Sequence, residues 1–474
     1  MPINVNGQPI QDNNIQEAQE ALEIIENNHQ FDSTIFQDRN IDIREATFIM
    51  DRNSDGIINR SDLDNLWSYH VRLNERQFCA LARLFAERFP REENQEGFAV
   101  LSQDVTDPME HRQLMLDFLA VPRSHINAIP EYSHRNFFFT VMPVDVLDQD
   151  ARESRQRQRG IEINEQASIA NEILQASSQT RCTIFVDSET GLQDVREEYF
   201  RAVPALREQH ETGRLIFQVG QNNNSIWAQD IGESTQSEFI IGGGTSPYRR
   251  DQMNISLVHI PIRFAGGDIT TTTINGENIV IVGHGSIQMT HANYDNFVTT
   301  ISDDEIRAVL QHAFSVDRVI LLTNPTGNKA PELAFHIDQV VTFPSPGVAI
   351  MLMPETVTPT TSLPEAEITE DAYSELRGAI SHYQDQLRQA GFRIIEIPTT
   401  SAHVGNFQSY TNAIPITKDD GSTVIIMPSF DDNSTEEQIR SILEREGMEV
   451  RFVRNMTWER RGNTHCITGT LPNE

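Results

Sequence analysis

The strongest constraint on the fold is a repeated pattern after about residue 135, where β-branched and aromatic runs alternate with amphipathic helical stretches. Four units of strand, helix and strand are visible, and a fifth begins at NFFFTVMPVDVL, with EQASIANEILQASS as its helix. The paired strand runs are TIFVDS and RLIFQVG, NIVIVGHG and RVILLT, GVAIMLM and FRIIEIP, and STVIIMPSF and MEVRFVRN. Hairpins, such as the one predicted at Asn275-Gly276, separate the units. The pattern therefore predicts one large α/β domain with internal repeats rather than a plain doubly wound sheet.

Local signals predict where helices begin and where the chain is exposed. The capping boxes Ser302 to Glu305 and Ser434 to Glu437 predict two helix starts. Three polar stretches are predicted to be exposed loops: DARESRQRQRG, QNNNS and PETVTPTTSLPEAE.

Residues 40–120 have a different character, with apolar residues at helical spacing and few strand signals. A chain of 474 residues is also too long for one ordinary core. We therefore expect a small α-helical domain over residues 1–125 and a second domain over residues 130–474.

The helical region contains DRNSDGIINRSD, residues 51–62, which has the oxygen spacing of an EF-hand calcium loop. Gly56 permits its sharp turn, and Asp rather than Glu closes it. A degenerate partner loop is predicted over residues 92–103. A dockerin repeat is the alternative, but a second close copy of the loop is lacking. The predicted calcium ligands are Asp51, Asn53, Asp55, Ile57 through its carbonyl, Asn59 and Asp62.

Composition limits the classes of partner that the chain is expected to bind. The chain has 69 acidic and 37 basic side chains, a formal net charge of -32, which disfavours nucleic acid and suits Ca²⁺ or basic protein segments. The three cysteines form no CxxC pair. No run is long enough to span a membrane, and no Sec-type signal is visible. We expect a soluble protein, cytoplasmic or delivered into another cell's cytosol; its oligomeric state is left open.

Three separate segments carry candidate chemistry: IWAQDIGE, AFHIDQVV and RGNTHCITG. In a strand, His336 and Asp338 would project from the same face, whereas the adjacent His465 and Cys466 would point to opposite faces. His336, and not His465, is therefore predicted to serve Cys466.

Together these residues suit a guanidinium, which is planar and charged at any physiological pH. Asp230 and Asp338 could hold its nitrogens, and Trp227 could cover its face or flank. A Cys466 thiolate could attack the guanidinium carbon, and His336 could protonate the departing ammonia.

The combination of WAQD, HID and GNTHCIT resembles the guanidine-modifying pentein superfamily over roughly residues 130–474. That resemblance implies a five-bladed α/β propeller of ββαβ repeats with the active site on its axis. FAGGDI is similar to the GG-N/D segment of these enzymes, and SYTNAI is similar to a segment of agmatine deiminases.

Within the superfamily, Gln229 and Glu233 resemble calcium ligands of calcium-dependent protein-arginine deiminases, and Arg250 of SPYRR resembles their residue that binds substrate backbone carbonyls. The immunoglobulin-like domains of the animal enzymes are absent, and GNTHCIT is closer to the agmatine deiminase form.

The resulting expectation is a calcium-dependent arginine deiminase that converts protein or peptide arginine to citrulline and ammonia. The alternatives are an agmatine or free-arginine deiminase and a non-catalytic calcium-binding scaffold.

Overall fold

The computed structural model describes residues 128–141, 149–186, 189–219, 228, 233–236, 238–242, 256–296, 301–324, 336–354, 370–455 and 463–472, together with short pieces before residue 121. The chain divides into two compact units. The first comprises residues 1–117, 244–247 and 290–301; the second comprises residues 118–243, 248–289 and 302–474.

The described strands are short, and most are rich in β-branched or aromatic residues. They are β1 Asn4–Val5, β2 Gln8–Pro9, β3 Ile57–Ile58, β4 Ala99–Val100, β5 Asn136–Thr140, β6 Arg181–Val186, β7 Leu215–Val219, β8 Glu233–Ser234, β9 Glu238–Gly242, β10 Ser256–Ile260, β11 Ile269–Ile274, β12 Glu277–Val282, β13 Arg318–Leu321, β14 Val341–Ser345, β15 Val348–Pro354, β16 Arg393–Thr399, β17 Ile414–Thr417, β18 Thr423–Ser429, β19 Met448–Arg454 and β20 Gly469–Leu471.

Helices connect many of these strands, and three 3₁₀ turns lie at strand ends. The helices are α1 Gln149–Ala176, α2 Glu189–Ala202, α3 Leu206–Glu211, α4 His284–Asn296, α5 Asp303–Phe314, α6 Glu370–Ala390, α7 Ser401–Gly405 and α8 Asn433–Arg445; the turns are Glu131–Ser133, Gly266–Asp268 and Ile337–Gln339.

The predicted repeat is visible in the sheets of the second unit. Three sheets, β11-β12-β13, β14-β15-β16 and β17-β18-β19, each join an antiparallel hairpin to a parallel third strand that follows at least one helix. In β8-β9-β10 the first pair is antiparallel and the second parallel. The sheet β20-β5-β6-β7 has one antiparallel and two parallel pairs. The α/β class is therefore confirmed.

The first strands of three sheets meet at one place. β11, β14 and β17 all contact the turn Glu131–Ser133, and the turn Gly266–Asp268 contacts the turn Ile337–Gln339. Side chains carried by these turns are thus brought together although they are far apart in sequence.

The helix α6 packs by one apolar face. In α6, Tyr373, Leu376, Ile380, Tyr383 and Leu387 are buried at three and four spacing and pack in a cluster with residues of β14 and β15. Such burial stabilises the fold by about 1.5–3 kcal/mol per large apolar side chain.

Two sequence signals are confirmed. Ser302 and Glu305 form the reciprocal capping box that begins α5. Asn275 and Gly276 turn the β11–β12 hairpin with positive φ values of 52° and 86°, which glycine and asparagine tolerate best.

Two other sequence predictions are wrong. The stretch DARESRQRQRG, predicted as a loop, lies inside α1, because arginine and glutamine are good helix formers. The helix α8 is capped by Asp432, whose Oδ1 accepts from the backbone N–H groups of Ser434 and Thr435, so Ser434 is not its cap.

Near the N-terminus, the parallel pair β3–β4 joins Ile57 to Ala99 and Ile58 to Val100, which belong to the predicted calcium loop and its partner loop. The rest of both loops, including Asp51, Asn53, Asp55, Asn59 and Asp62, lies outside the described residues. In the part of the chain that the structure describes, no helix is long and apolar enough to cross a membrane.

Candidate active site

Cys466 lies in the turn 464–467, directly before β20, and is buried. Two side-chain amides donate to its sulfur: Gln339 Nε2 lies 3.2 Å and Asn412 Nδ2 lies 3.1 Å from Sγ. Hydrogen bonds to the charged form of an acid stabilise that form, so both amides favour the thiolate, which is the nucleophilic form of cysteine.

Asn412 holds the backbone of this turn as well as the sulfur. Its Oδ1 accepts from the backbone N–H groups of His465, at 2.8 Å, and Cys466, at 3.1 Å. Asn412 belongs to SYTNAI, which sequence analysis singled out without giving this residue a role. Gln339 directly follows HID and was likewise missed, although its position beside that motif was the available signal.

Asp338 shares one oxygen with two neighbours. Its Oδ2 lies 3.0 Å from His465 Nδ1 and 3.5 Å from Cys466 Sγ. Its Oδ1 is buried without a hydrogen-bond partner among the described residues. A buried carboxylate oxygen of this kind needs a donor, and a guanidinium nitrogen is a suitable one.

The strand geometry assumed for both motifs is wrong. His336 precedes the 3₁₀ turn Ile337–Gln339, and His465 and Cys466 lie in a turn. Since the turn brings His465 and Cys466 to the same Asp338 oxygen, the opposite-faces argument against His465 does not hold. The specific pairing of His336 with Cys466 stays a prediction.

A glycine makes room for His336 and Asp338 to approach each other. A Cβ added at Gly267 would lie 2.9 Å from His336 Nδ1 and 3.1 Å from Asp338 Oδ2. Both atoms therefore lie about 3 Å from the same Cβ position of Gly267, so the His336 imidazole is beside the carboxylate that faces Cys466. FAGGDI and HID are thus parts of one site.

Gly267→Ala is expected to lower kcat/KM by about 10²-fold, because the new methyl group would displace His336 or Asp338. Gly378→Ala is the matched control: a Cβ there meets nothing within 4 Å, and alanine suits its helix α6. Steady-state kinetics and thermal unfolding of both variants check this. Full activity of Gly267→Ala would show that the close approach has no role.

Asp268, in the segment FAGGDI, holds the segment HID and the start of α4 by hydrogen bonds. Its Oδ1 accepts from the backbone N–H of Ile337, at 3.1 Å, and its Oδ2 from that of Ser286 in α4. Burial raises the pKa of the Asp268 carboxyl to about 7, and the charge of His336 limits the rise. Asp268 therefore links the start of α4 to the turn that carries Asp338.

His465 also faces Glu131, which lies on the turn Glu131–Ser133. Burial alone would lower the pKa of His465, but its hydrogen bond to Asp338 and the charges of Asp338, Glu131 and Glu233 raise it to about 8. Burial raises the pKa of Glu131 to about 7, opposed by the charge of His465. Glu131 was not among the predicted site residues, because no local motif marks it.

Glu233, predicted as a calcium ligand, is buried in β8. Its Oε1 lies 3.5 Å from His134 Nε2. One oxygen of this carboxylate thus faces an imidazole, and the role of Glu233 as a calcium ligand stays a prediction, because its predicted co-ligand Gln229 lies outside the described residues. Within the ranges given above, no group of three or more His, Cys, Asp or Glu side chains is placed to hold one metal ion.

Trp227, Gln229, Asp230 and Arg250 lie outside the described residues, so their positions stay predictions. The structure brings together His336, Asp338 and Cys466 of the predicted set and adds Gln339, Asn412, His465 and Asp268 to them.

A buried cysteine flanked by amides, an unsatisfied carboxylate oxygen and an adjacent imidazole define a cysteine-dependent enzyme site suited to guanidino groups. A comparison with protein families identifies the family of the chain. Residues 151–472 match the family of Porphyromonas-type peptidyl-arginine deiminases, and the chain belongs to this family. It is therefore a hydrolytic enzyme of the class that acts on guanidino groups, as the predicted membership of the pentein superfamily implies.

Solved structures that resemble this fold include deiminases. An agmatine deiminase of C. jejuni is 14% identical, with a TM-score of 0.48, and the match covers 74% of this chain and 98% of that chain. A Porphyromonas gingivalis structural-genomics target assigned to the arginine deiminases is 16% identical, with a TM-score of 0.47 and coverage of 73% and 97%. No curated protein matches the chain.

Proposed function

We propose that the protein deiminates arginine in proteins or peptides, giving citrulline and ammonia, with Cys466 as the nucleophile. The observation that carries the proposal is the buried Asp338 carboxylate, which has one oxygen beside Cys466 Sγ and the other without a hydrogen-bond partner among the described residues. That free oxygen would receive a guanidinium N–H, and the substrate carbon would then lie next to the sulfur.

In the first half of the reaction, the Cys466 thiolate forms a C–S bond with the guanidinium carbon. The amide N–H groups of Gln339 and Asn412 hold the sulfur in its anionic form until the attack. The carbon–nitrogen bond to the terminal nitrogen then breaks, and His336 gives that nitrogen a proton so that it departs as ammonia. A thiouronium attached to Cys466 remains.

In the second half, the neutral His336 imidazole takes a proton from water, whose oxygen attacks the same carbon. The C–S bond breaks, the electron pair returns to Cys466, and citrulline leaves. His336 is partly exposed, which gives water access to it. The net reaction consumes one water and releases one ammonia for each arginine.

The remaining predicted residues complete the proposal. Asp230 is the second carboxylate for the guanidinium, Trp227 covers the flank of the cation, and Arg250 holds the peptide backbone. The five-bladed propeller is the arrangement proposed for the ββαβ sheets, with the site on its axis.

Calcium is the finer part of the proposal. It rests on the oxygen spacing of residues 51–62 and on the resemblance of Gln229 and Glu233 to known ligands. Calcium has no chemical step in this reaction.

An agmatine or free-arginine deiminase is the second candidate. The observation that favours it is Asn412, which holds the nucleophile and belongs to the segment SYTNAI that resembles agmatine deiminases. The chemistry at Cys466 is the same in both candidates, and only the group attached to the guanidinium differs.

A substrate panel separates these candidates. Ammonia and citrulline-type products are measured for benzoyl-arginine amide, an arginine-rich protein, free arginine and agmatine, each with calcium and with a chelator. We expect the two peptide-type substrates to be preferred by about 10²-fold over agmatine, because a site built for peptide groups loses contacts with a smaller substrate. Chelation is expected to lower their turnover.

Turnover of agmatine alone, unaffected by chelator, would replace the leading proposal with the second candidate. Peptide turnover that is unaffected by chelator would remove only the calcium part. No turnover of any guanidine would contradict both and leave the non-catalytic scaffold.

A further inference from the structure

A line of four side chains leads from the nucleophile to Glu131; three of them are buried, and the Glu131 side chain is 12% exposed. Cys466 Sγ lies 3.5 Å from Asp338 Oδ2, this oxygen lies 3.0 Å from His465 Nδ1, and His465 Nε2 lies 3.7 Å from Glu131 Oε1. The mechanism above uses Cys466 and Asp338 but not His465 or Glu131. Their position suggests that His465 and Glu131 act on Asp338 and Cys466.

Glu131 is anchored from two sheets. Thr270 of β11 donates to its Oε2 at 2.9 Å, and Thr342 of β14 donates to its Oε1 at 3.3 Å. Its turn also contacts β17. Because the anchoring strands belong to the framework, the carboxylate is fixed before any substrate binds.

His465 lies between two carboxylates, one on each ring nitrogen. This arrangement favours the imidazolium, because both carboxylates attract its positive charge and its Nδ1–H can donate to Asp338. Among the nearby ionisable groups, Asp338, Glu131 and Glu233 favour the cation. Two further imidazoles lie next to these carboxylates: His134 faces Glu233, and His336 lies beside Asp338.

The cation matters because Asp338 lies beside the thiol. A lone carboxylate 3.5 Å from sulfur would oppose the thiolate, since like charges in a buried site repel strongly. An imidazolium on the shared Oδ2 compensates that charge and also fixes the carboxylate in one orientation.

We propose that His465 and Glu131 are positioning residues: Glu131 holds the His465 imidazolium, which orients Asp338 and neutralises its Oδ2 beside Cys466, leaving Oδ1 for the substrate cation. The role in turnover rests on the proposed function, whereas the effect on the thiolate does not.

Alkylation of Cys466 by iodoacetamide at neutral pH tests this without a substrate, with the modified peptide quantified by mass spectrometry. His465→Ala is expected to slow the reaction by about tenfold or more, because it leaves the uncompensated Asp338 carboxylate 3.5 Å from the sulfur, and a like charge this close lowers the thiolate fraction by about that much. Glu131→Ala is expected to slow it similarly, and Glu131→Gln, which keeps an acceptor oxygen for His465, is expected to restore part of the rate.

A matched control uses another buried histidine next to an aspartate. His403 Nε2 lies 3.6 Å from Asp432 Oδ2, and its Nδ1 lies 2.9 Å from Thr400 Oγ1. His403→Ala removes a comparable imidazole, so it reports general loosening of the fold, and its Cys466 alkylation rate is expected to equal that of the unaltered protein.

The turnover number gives a second reading: kcat of the His465 and Glu131 variants should fall in proportion to the alkylation rate, with little change in KM. An unchanged alkylation rate in His465→Ala, or an equal loss in His403→Ala, would overturn the proposal. If the unaltered protein turned over no guanidine, the proposed function would fail, while the order of alkylation rates would still decide the roles of His465 and Glu131.

Discussion

Replacing Cys466 by alanine is expected to lower the rate of ammonia release by about 10⁴-fold or more, because nucleophile variants of hydrolases lose most of their rate enhancement. The neighbouring amides of Gln339 and Asn412 would remain, but they would have no sulfur to stabilise. Product formation from the preferred substrate of the panel, measured at saturating concentration, checks this. Substrate binding should persist, since Asp338 is unchanged.

Cys182→Ala is the matched control. Cys182 is fully buried in β6, and burial raises the pKa of its thiol, which makes it unreactive. Loss of its sulfur is expected to lower the free energy of unfolding by about 1 kcal/mol, because packing contacts are lost, and to leave kcat unchanged. Equal activity of Cys466→Ala and the unaltered protein would contradict a covalent mechanism at this residue.

Asp338→Asn is expected to reduce kcat/KM by about 10³- to 10⁴-fold, the scale seen when a buried active-site aspartate becomes an amide. The change removes the negative charge that faces the substrate cation. It also presents an amide where His465 Nδ1 now finds a carboxylate oxygen at 3.0 Å. Separate measurement of kcat and KM checks both effects, and both parameters should worsen.

An exposed aspartate supplies the control for this change. Asp419 is exposed in the turn between β17 and β18, where it accepts hydrogen bonds from Ser177 and Ser178. Asp419→Asn is expected to leave kcat/KM unaltered. A comparable loss in both variants would mean that the effect of Asp338→Asn does not come from the site.

The sequence predicted most of the repeat architecture because each unit is local. The strand runs and the capping box of α5 lie within short windows whose periodicity reflects burial on one face. The errors arose where local signals compete. Arginine-rich helix and exposed loop look alike in composition, as the start of α1 shows, and Asp432 and Ser434 are both good caps for α8.

The site was predictable only as separate parts. HID and HC are recognisable as motifs, but both lie in turns, where the alternation of a strand does not apply. Asn412 and Glu131 reach the site through contacts between segments more than fifty residues apart. Such contacts leave no periodic trace in a single sequence. The roles of Asp230, Trp227, Gln229 and Arg250 depend on residues outside the described ranges.

The pairing of β20 with β5 has a consequence for the order in which the protein becomes active. Gly469 pairs with Phe138 and Leu471 with Asn136, so more than three hundred intervening residues separate the two sides of this ladder. The other sheets described in the second unit pair strands that are closer in sequence and can form as the chain emerges during synthesis. Cys466 lies three residues before β20, so this late, long-range closure fixes the segment that follows the thiol. A ribosome-bound or truncated chain that lacks this strand would fold most of its sheets and yet be chemically silent.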